Sequence, residues 1–214
     1  MHSRPAPLWY HKHMIKLVLF DAVGVLFPLN KVVGDDLSAA FHLSEQQLRH
    51  MWDELYPDYT VGKLTTAQFL DQFTAMYDLP REKVTESVFL ESFLRALAPM
   101  PGMQALLQKL HKADVRMAML SDTTPMFAHV RRNWIFSEFF DHIFLSFEIG
   151  HKKPAKQAFL AVIDHYHIKP EEIFFIDDNE QNVAAAKRFG LQAVQFTDAA
   201  TLAQALAHAG VPAN

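Results

Sequence analysis

The sequence predicts an α/β fold, a parallel sheet with helices on both faces, interrupted by an all-helical insertion. Three patterns carry that expectation. Short apolar runs that stop at polar residues recur along the chain, as buried parallel strands do. Segments with apolar residues at helical spacing separate them, and such alternation marks a parallel sheet with crossover helices. One stretch, residues 35–97, breaks the rhythm, with several helical patterns and no strand-like run.

In chain order, strands are expected at Ile15–Phe20, Val115–Leu120, Ile143–Leu145, Ile173–Ile176 and Ala193–Phe196. Helices between and after them are expected at Met103–Ala113, Ala155–Tyr166, Val183–Phe189 and Ala199–Ala209. Within the insertion the spacing predicts helices over Asp36–Phe41, Ser44–Leu55, Thr65–Tyr77 and Arg81–Leu97, the last of them broken. Ser44 suits the N-cap of the second, and Thr65 or Thr66 that of the third, because a hydroxyl there satisfies a backbone N–H that the helix leaves open. The proline-bearing segments "FPLN" and "APMPGM" bound the block. They divide the chain into a Rossmann-like core of residues 14–34 and 98–214 and a helical cap of residues 35–97, joined in a way that lets the cap move. Residues 1–13 are expected to be a loose N-terminal extension, with Met14 an alternative start.

Composition narrows the function. The chain has 214 residues, half of them hydrophobic, enough to bury a substantial core. A net charge of -4 with scattered basic residues argues against a nucleic-acid partner. The absence of cysteine excludes disulfides, thiolate metal sites and a cysteine nucleophile. The N-terminus has no apolar signal region, and no stretch approaches the roughly 18 apolar residues of a membrane span. No membrane partner and a cytoplasmic location are therefore expected.

In open parallel sheets ligands gather beyond the carboxyl ends of the strands. Asp21 follows the first strand, and "SDTT" (Ser121, Asp122, Thr123, Thr124) the second. "SFEIGHKKP" with Lys152 and Lys153 follows the third, and "DDNEQN" with Asp177, Asp178 and Asn182 the fourth. Taken singly, Asp21 could cap a loop, Ser121 and Thr123 a helix before Pro125, and Lys153 could decorate the surface. Asp177 and Asp178 resist such an account. Adjacent carboxylates after an apolar strand repel each other, at a cost near a buried edge, and a hard cation with oxygen ligands such as magnesium relieves it.

The segments "VLFDAVGVLF", "MLSDTT", "GHKKP" and "FFIDDNEQNVAAAKRFG" occur in this order at suitable intervals. Together they resemble the four motifs of the haloacid dehalogenase superfamily, and the helical block resembles its C1-type cap. The resemblance covers the chain from Ile15 to about Phe196 and includes the sugar-1-phosphate phosphatase-like members. It implies a phosphatase working through an aspartyl-phosphate on Asp21, with a sugar phosphate or similar small phosphoester as substrate. It implies that Ser121 hydrogen-bonds the transferring group and that Lys153, better matched than Lys152, balances charge. It implies Mg²⁺ held by Asp21, the Val23 carbonyl and Asp178, with Asp177 in support and Asn182 placed to hold a metal-bound water.

Val23 departs from the pattern. Most family phosphatases carry an aspartate there that protonates the leaving group and then activates water. Valine does neither, although its carbonyl remains a competent metal ligand. General acid–base help is worth roughly 10²–10⁴-fold, so a weakened phosphatase fits the sequence. A 2-haloacid dehalogenase-like carbon–halogen hydrolase is the alternative, since a halide leaves without a proton; a non-catalytic binding protein of this fold is another. Candidates for substrate contact are Asp122 and Thr123, and His42, Trp52, Tyr56, Tyr59 and Lys63 in the insertion. For the aromatics, packing within the insertion is the favoured account. His42 is also a candidate to activate water.

Overall fold

The computed structural model describes residues 14–28, 32–95, 97–128, 130 and 135–213, so the expected extension over residues 1–13 lies outside it. Strand β1 (Leu17–Phe20) is followed by helices α1 (Val32–Phe41), α2 (Glu45–Glu54), α3 (Tyr56–Thr60), α4 (Thr66–Met76) and α5 (Glu86–Arg95). Then come α6 (Met103–Lys112), β2 (Met117–Ser121), β3 (His142–Leu145), α7 (Ser146–Ile149) and α8 (Lys156–Tyr166). The chain closes with β4 (Ile173–Asp177), α9 (Glu180–Arg188), β5 (Gln192–Gln195) and α10 (Ala199–His208).

Among the described residues the strands form one five-stranded sheet in the order β3-β2-β1-β4-β5, every neighbouring pair parallel. Helices cover both faces, so β1, β2 and β4 are buried along their whole length. That is why their sequences read as continuous apolar runs rather than alternating ones. On one face Val18, Phe20 and Met119 pack against Leu106, Leu110, Leu202 and Leu206. On the other, Leu17, Leu19 and Phe175 pack against Phe159, Val162 and Ala186. Phe20 pairs with Met119 on β2 and with Ile176 on β4. One residue further, the register brings Asp21 level with Leu120 and Asp177.

Helices α1 to α5 pack around a second core of Leu37, Phe41, Met51, Tyr59, Phe69, Phe73 and Phe89, which Met126 and Phe127 beyond β2 join. It is largely aromatic: Phe73 meets Phe41 at 5.2 Å and Phe89 at 5.5 Å between ring centroids, both edge to face. Ser44 and Thr65 cap α2 and α4, each in a capping box with the glutamine three residues on. The helix expected over Ser44–Leu55 is followed by a separate short helix, α3, because Pro57 lacks an N–H and fits only a first turn. The expected break in Arg81–Leu97 falls between a 3₁₀ turn at Arg81–Lys83 and α5, where Arg81 Nη1 donates to the Val84 carbonyl at 2.8 Å.

The outgoing and returning chains run side by side, joined by a bond from Met100 N–H to the Leu26 carbonyl at 2.9 Å. Phe93 of α5 wedges into this neck, edge-on to Phe27 at 6.1 Å and stacked on Phe127 at 4.3 Å. Among the described residues no helix is long and apolar enough to cross a membrane.

Candidate active site

Asp21 stands at the end of the central strand, its N–H donating to the Ile176 carbonyl at 2.8 Å. The chain then turns tightly. The Ala22 carbonyl accepts from Leu26 N–H at 2.8 Å and Phe27 N–H at 3.3 Å, and Gly24 N–H donates to the Phe27 carbonyl at 2.7 Å. The Val23 carbonyl takes no part in these bonds and remains available to a ligand. Gly24 has φ +88°, and a Cβ there would lie 2.3 Å from the Asp178 carboxyl group. Only glycine allows this turn to come so close to Asp178.

Lys153 is the hub. Its ammonium has three protons and three acceptors: Asp21 Oδ1 at 2.5 Å, Asp177 Oδ2 at 2.9 Å and the Leu120 carbonyl at 3.0 Å. Its backbone N–H donates to Asp122 Oδ1 at 3.1 Å, which ties the loop after β2 to the loop after α7. Asp177 is fully buried and multiply bonded. Its Oδ1 accepts from Asn179 N–H at 2.8 Å, and Asn182 Nδ2 reaches Oδ1 at 3.1 Å and Oδ2 at 3.0 Å. Asn182 thus braces Asp177, which in turn aims Lys153.

The charges do not balance. Carboxylate oxygens of Asp21, Asp177 and Asp178 lie within 4.8 Å of one another, and Lys153 bonds to only two of the three residues. Burial pushes the Asp21 carboxyl up to about 7; Lys153 opposes this and the Asp177 charge adds to it. Burial works against the Lys153 charge, but Asp21, Asp122 and Asp177 outweigh it and hold its pKa above the ordinary lysine range. Burial raises Asp122, with Lys153 opposing, and burial followed by the Asp177 charge raises Asp178. A further positive charge would relieve the whole group. A partly exposed carboxylate, Asp178, an uncommitted carbonyl and the nearby Asp21 are oxygen donors that suit a hard divalent cation.

The cluster gathers Asp21, Val23, Asp122, Lys153, Asp177, Asp178 and Asn182. Ser121, buried at the end of β2, follows the Leu120 carbonyl that Lys153 holds. Thr123 is buried beside it, its N–H donating to Ser146 Oγ at 2.9 Å. The candidates from the helical block sit differently. His42 is exposed in the turn between α1 and α2, with φ +55°. Trp52 and Tyr56 meet edge to face at 4.6 Å, and Trp52 also lines a cavity of about 320 Å³ with Asp35, Ser38 and Arg49. Tyr59 belongs to the block's core, stacked on Phe69 at 4.4 Å, and Lys63 pairs with Asp58 on the surface. Two residues at the site were given no role from sequence, Gly24 and Ser146. Gly24 is signalled by its place three residues after Asp21, and Ser146 by its place directly after a strand.

The family model for haloacid dehalogenase-like hydrolases matches residues 15–190. The D-ribitol-5-phosphate phosphatase of Bacteroides thetaiotaomicron is 24% identical over 208 residues, covering 90% of this chain and 97% of its own. The haloacetate dehalogenase H-2 of a Moraxella species is 26% identical, over 83% of this chain and 84% of its own. A crystal structure of a haloacid dehalogenase family enzyme from Bacteroides thetaiotaomicron, in complex with magnesium and inorganic phosphate, superposes with a TM-score of 0.70. It is 25% identical, over 86% of this chain and 95% of that one.

Proposed function

The chain belongs to the haloacid dehalogenase-like hydrolase family, and on that premise we propose that it is a magnesium-dependent phosphatase of small phosphorylated molecules such as sugar phosphates. Residues 35–97 serve as its cap. The observation that carries this reading is the surplus of carboxylate around Lys153, with Asp21, Asp177 and Asp178 oxygens within 4.8 Å of one another. The phosphatase relative and the magnesium–phosphate complex of the structural neighbour support it.

In this mechanism Asp21 attacks phosphorus, forming an aspartyl-phosphate as the bond to the leaving oxygen breaks, and water then cleaves the acyl-phosphate. Strand β1 and the Ile176 bond aim Asp21. Lys153 offsets charge on the nucleophile and the phosphoryl group, held in place by Asp177, Asn182 and the Leu120 carbonyl. Ser121 hydrogen-bonds a phosphoryl oxygen. Asp21, the Val23 carbonyl and Asp178 hold magnesium, which when bound neutralises the carboxylates and the phosphoryl oxygens.

Val23 favours a second reading, hydrolysis of a carbon–halogen bond, in which no leaving group needs a proton. A phosphate-release screen over small phosphoesters, with and without magnesium, beside halide release from 2-haloacids, separates the two. Magnesium-dependent phosphate release that disappears in Asp21→Asn is the expected result; nucleophile loss costs on the order of 10⁴-fold or more. Halide release without magnesium, and no phosphate release with it, would overturn the phosphatase reading.

A further inference from the structure

We propose that Ser146 is a positioning residue: its buried hydroxyl holds the loop after β2 and docks the helical block onto that loop through one exchangeable hydrogen bond. Only the kinetic part of the test rests on the phosphatase reading.

Ser146 opens α7, is fully buried and lies outside the carboxylate cluster. Its Oγ accepts from Thr123 N–H at 2.9 Å. It has two acceptors for its own proton, the Thr60 carbonyl at 2.7 Å and the Thr123 carbonyl at 3.0 Å. A hydroxyl donates only once. Thr60 ends α3, where a helix leaves carbonyls without partners. Thr123 lies two residues beyond Ser121.

The geometry therefore offers a swap. With the block docked, the proton goes to the shorter contact, the Thr60 carbonyl. When the block moves away, that carbonyl meets water and the proton turns to the Thr123 carbonyl, already within reach. Neither state strands a buried donor, so the block can leave and return without loosening the loop. Ser146 acts on Ser121 through Thr123 and touches no reacting atom itself. The surrounding contacts mark the same docking patch. Met126 N–H donates to Tyr59 Oη at 3.2 Å. Gly62, with φ +75°, passes so close that a Cβ would lie 2.3 Å from the Phe147 carbonyl oxygen.

The two halves of the swap separate by mutation. Ser146→Ala removes both bonds, whereas Gly62→Ala wedges the block away and leaves Ser146 with Thr123. Amide exchange is measured by mass spectrometry on the full chain, with magnesium present. In Ser146→Ala it should quicken over both residues 56–64 and residues 121–127, and kcat for p-nitrophenyl phosphate should fall on the order of 10- to 100-fold at unchanged magnesium affinity. Ser146→Cys, which keeps a weak donor and acceptor, should fall between Ser146→Ala and the wild type. In Gly62→Ala exchange should quicken over residues 56–64 and at Met126, whose N–H loses Tyr59 Oη, while residues 121–124 keep their protection. Unchanged protection of residues 121–127 in Ser146→Ala overturns the proposal. So does equal loss over residues 56–64 and residues 121–124 in Gly62→Ala, which would mean that the block, not Ser146, holds the loop. If Ser146→Ala does not fold, Ser146→Cys and Gly62→Ala decide by the same measure. A wild type inert toward phosphate esters overturns the phosphatase reading and leaves the exchange comparison to decide the role of Ser146.

Discussion

Val23 and Gly24 are adjacent, and they constrain the site in different ways. The Val23 side chain, half-buried against one core cluster, is a hydrocarbon and offers no proton to a departing oxygen. Substrates with weakly basic leaving groups should be favoured, and kcat/KM over a series of aryl and alkyl phosphates should fall steeply as leaving-group pKa rises. Val23→Asp should flatten that dependence, at a cost of about 1–3 kcal/mol for placing a carboxylate on a half-apolar site. A flat wild-type series, with chemistry rate-limiting, would assign the proton to another residue. Gly24 acts by what it lacks. In Gly24→Ala the new Cβ meets the Asp178 carboxyl at 2.3 Å on a backbone with φ +88°. Magnesium affinity by calorimetry should drop about 10- to 100-fold, with a folding cost of about 1–3 kcal/mol for the strained backbone. Equal affinity in wild type and mutant would detach Asp178 from the metal.

At the scale of elements, the helices between β1 and α6 stand on their own aromatic core, at whose centre Phe73 is fully buried. Phe73→Ala should destabilise those helices by about 3–5 kcal/mol. Amide exchange should quicken across α1 to α5 while β1, β2 and β4 keep their protection; uniform loss across both would show one cooperative unit. These elements also mark what the sequence made legible. Strands β1, β2 and β4 were readable because burial on both faces makes each largely an apolar run, and Ser44 and Thr65 announced their helices through their capping hydroxyls. The clustered carboxylates were readable because Asp21, Asp177 and Asp178 sit at strand ends, and Lys153 because it stands in a polar loop before Pro154. Tyr59 was not. An aromatic in an amphipathic helix has the same spacing whether it faces a ligand or Phe69, and only packing distinguishes the two. Ser146 is marked only by its place after a strand, since its partners are backbone atoms distant in sequence. The short helices α3 and α7, at five and four residues, are too brief to show a period.

At the scale of the whole molecule, a cation bound among Asp21, the Val23 carbonyl and Asp178 links two strand ends that otherwise repel. Magnesium at about 100 times its dissociation constant should stabilise the protein by about 2.7 kcal/mol, a Tm rise of roughly 5–10 °C. Asp178→Ala should abolish the rise, and a Tm indifferent to magnesium in the wild type would remove the metal from this cluster. The neck at Leu26 and Met100 has a consequence of another kind. The sheet and the loops beyond it carry Asp21, Lys153 and the acidic cluster, while the helical block has a largely separate interior, shared only with Met126 and Phe127, and its chain enters and leaves through one narrow doorway. On the proposed function, chemistry and selectivity thus occupy parts with largely separate interiors. A block from a relative, spliced at Pro28 and Pro99 and carrying a carbonyl for Ser146 to grip, would arrive as a finished graft, and the inherited reaction would meet a new clientele without relearning its own steps.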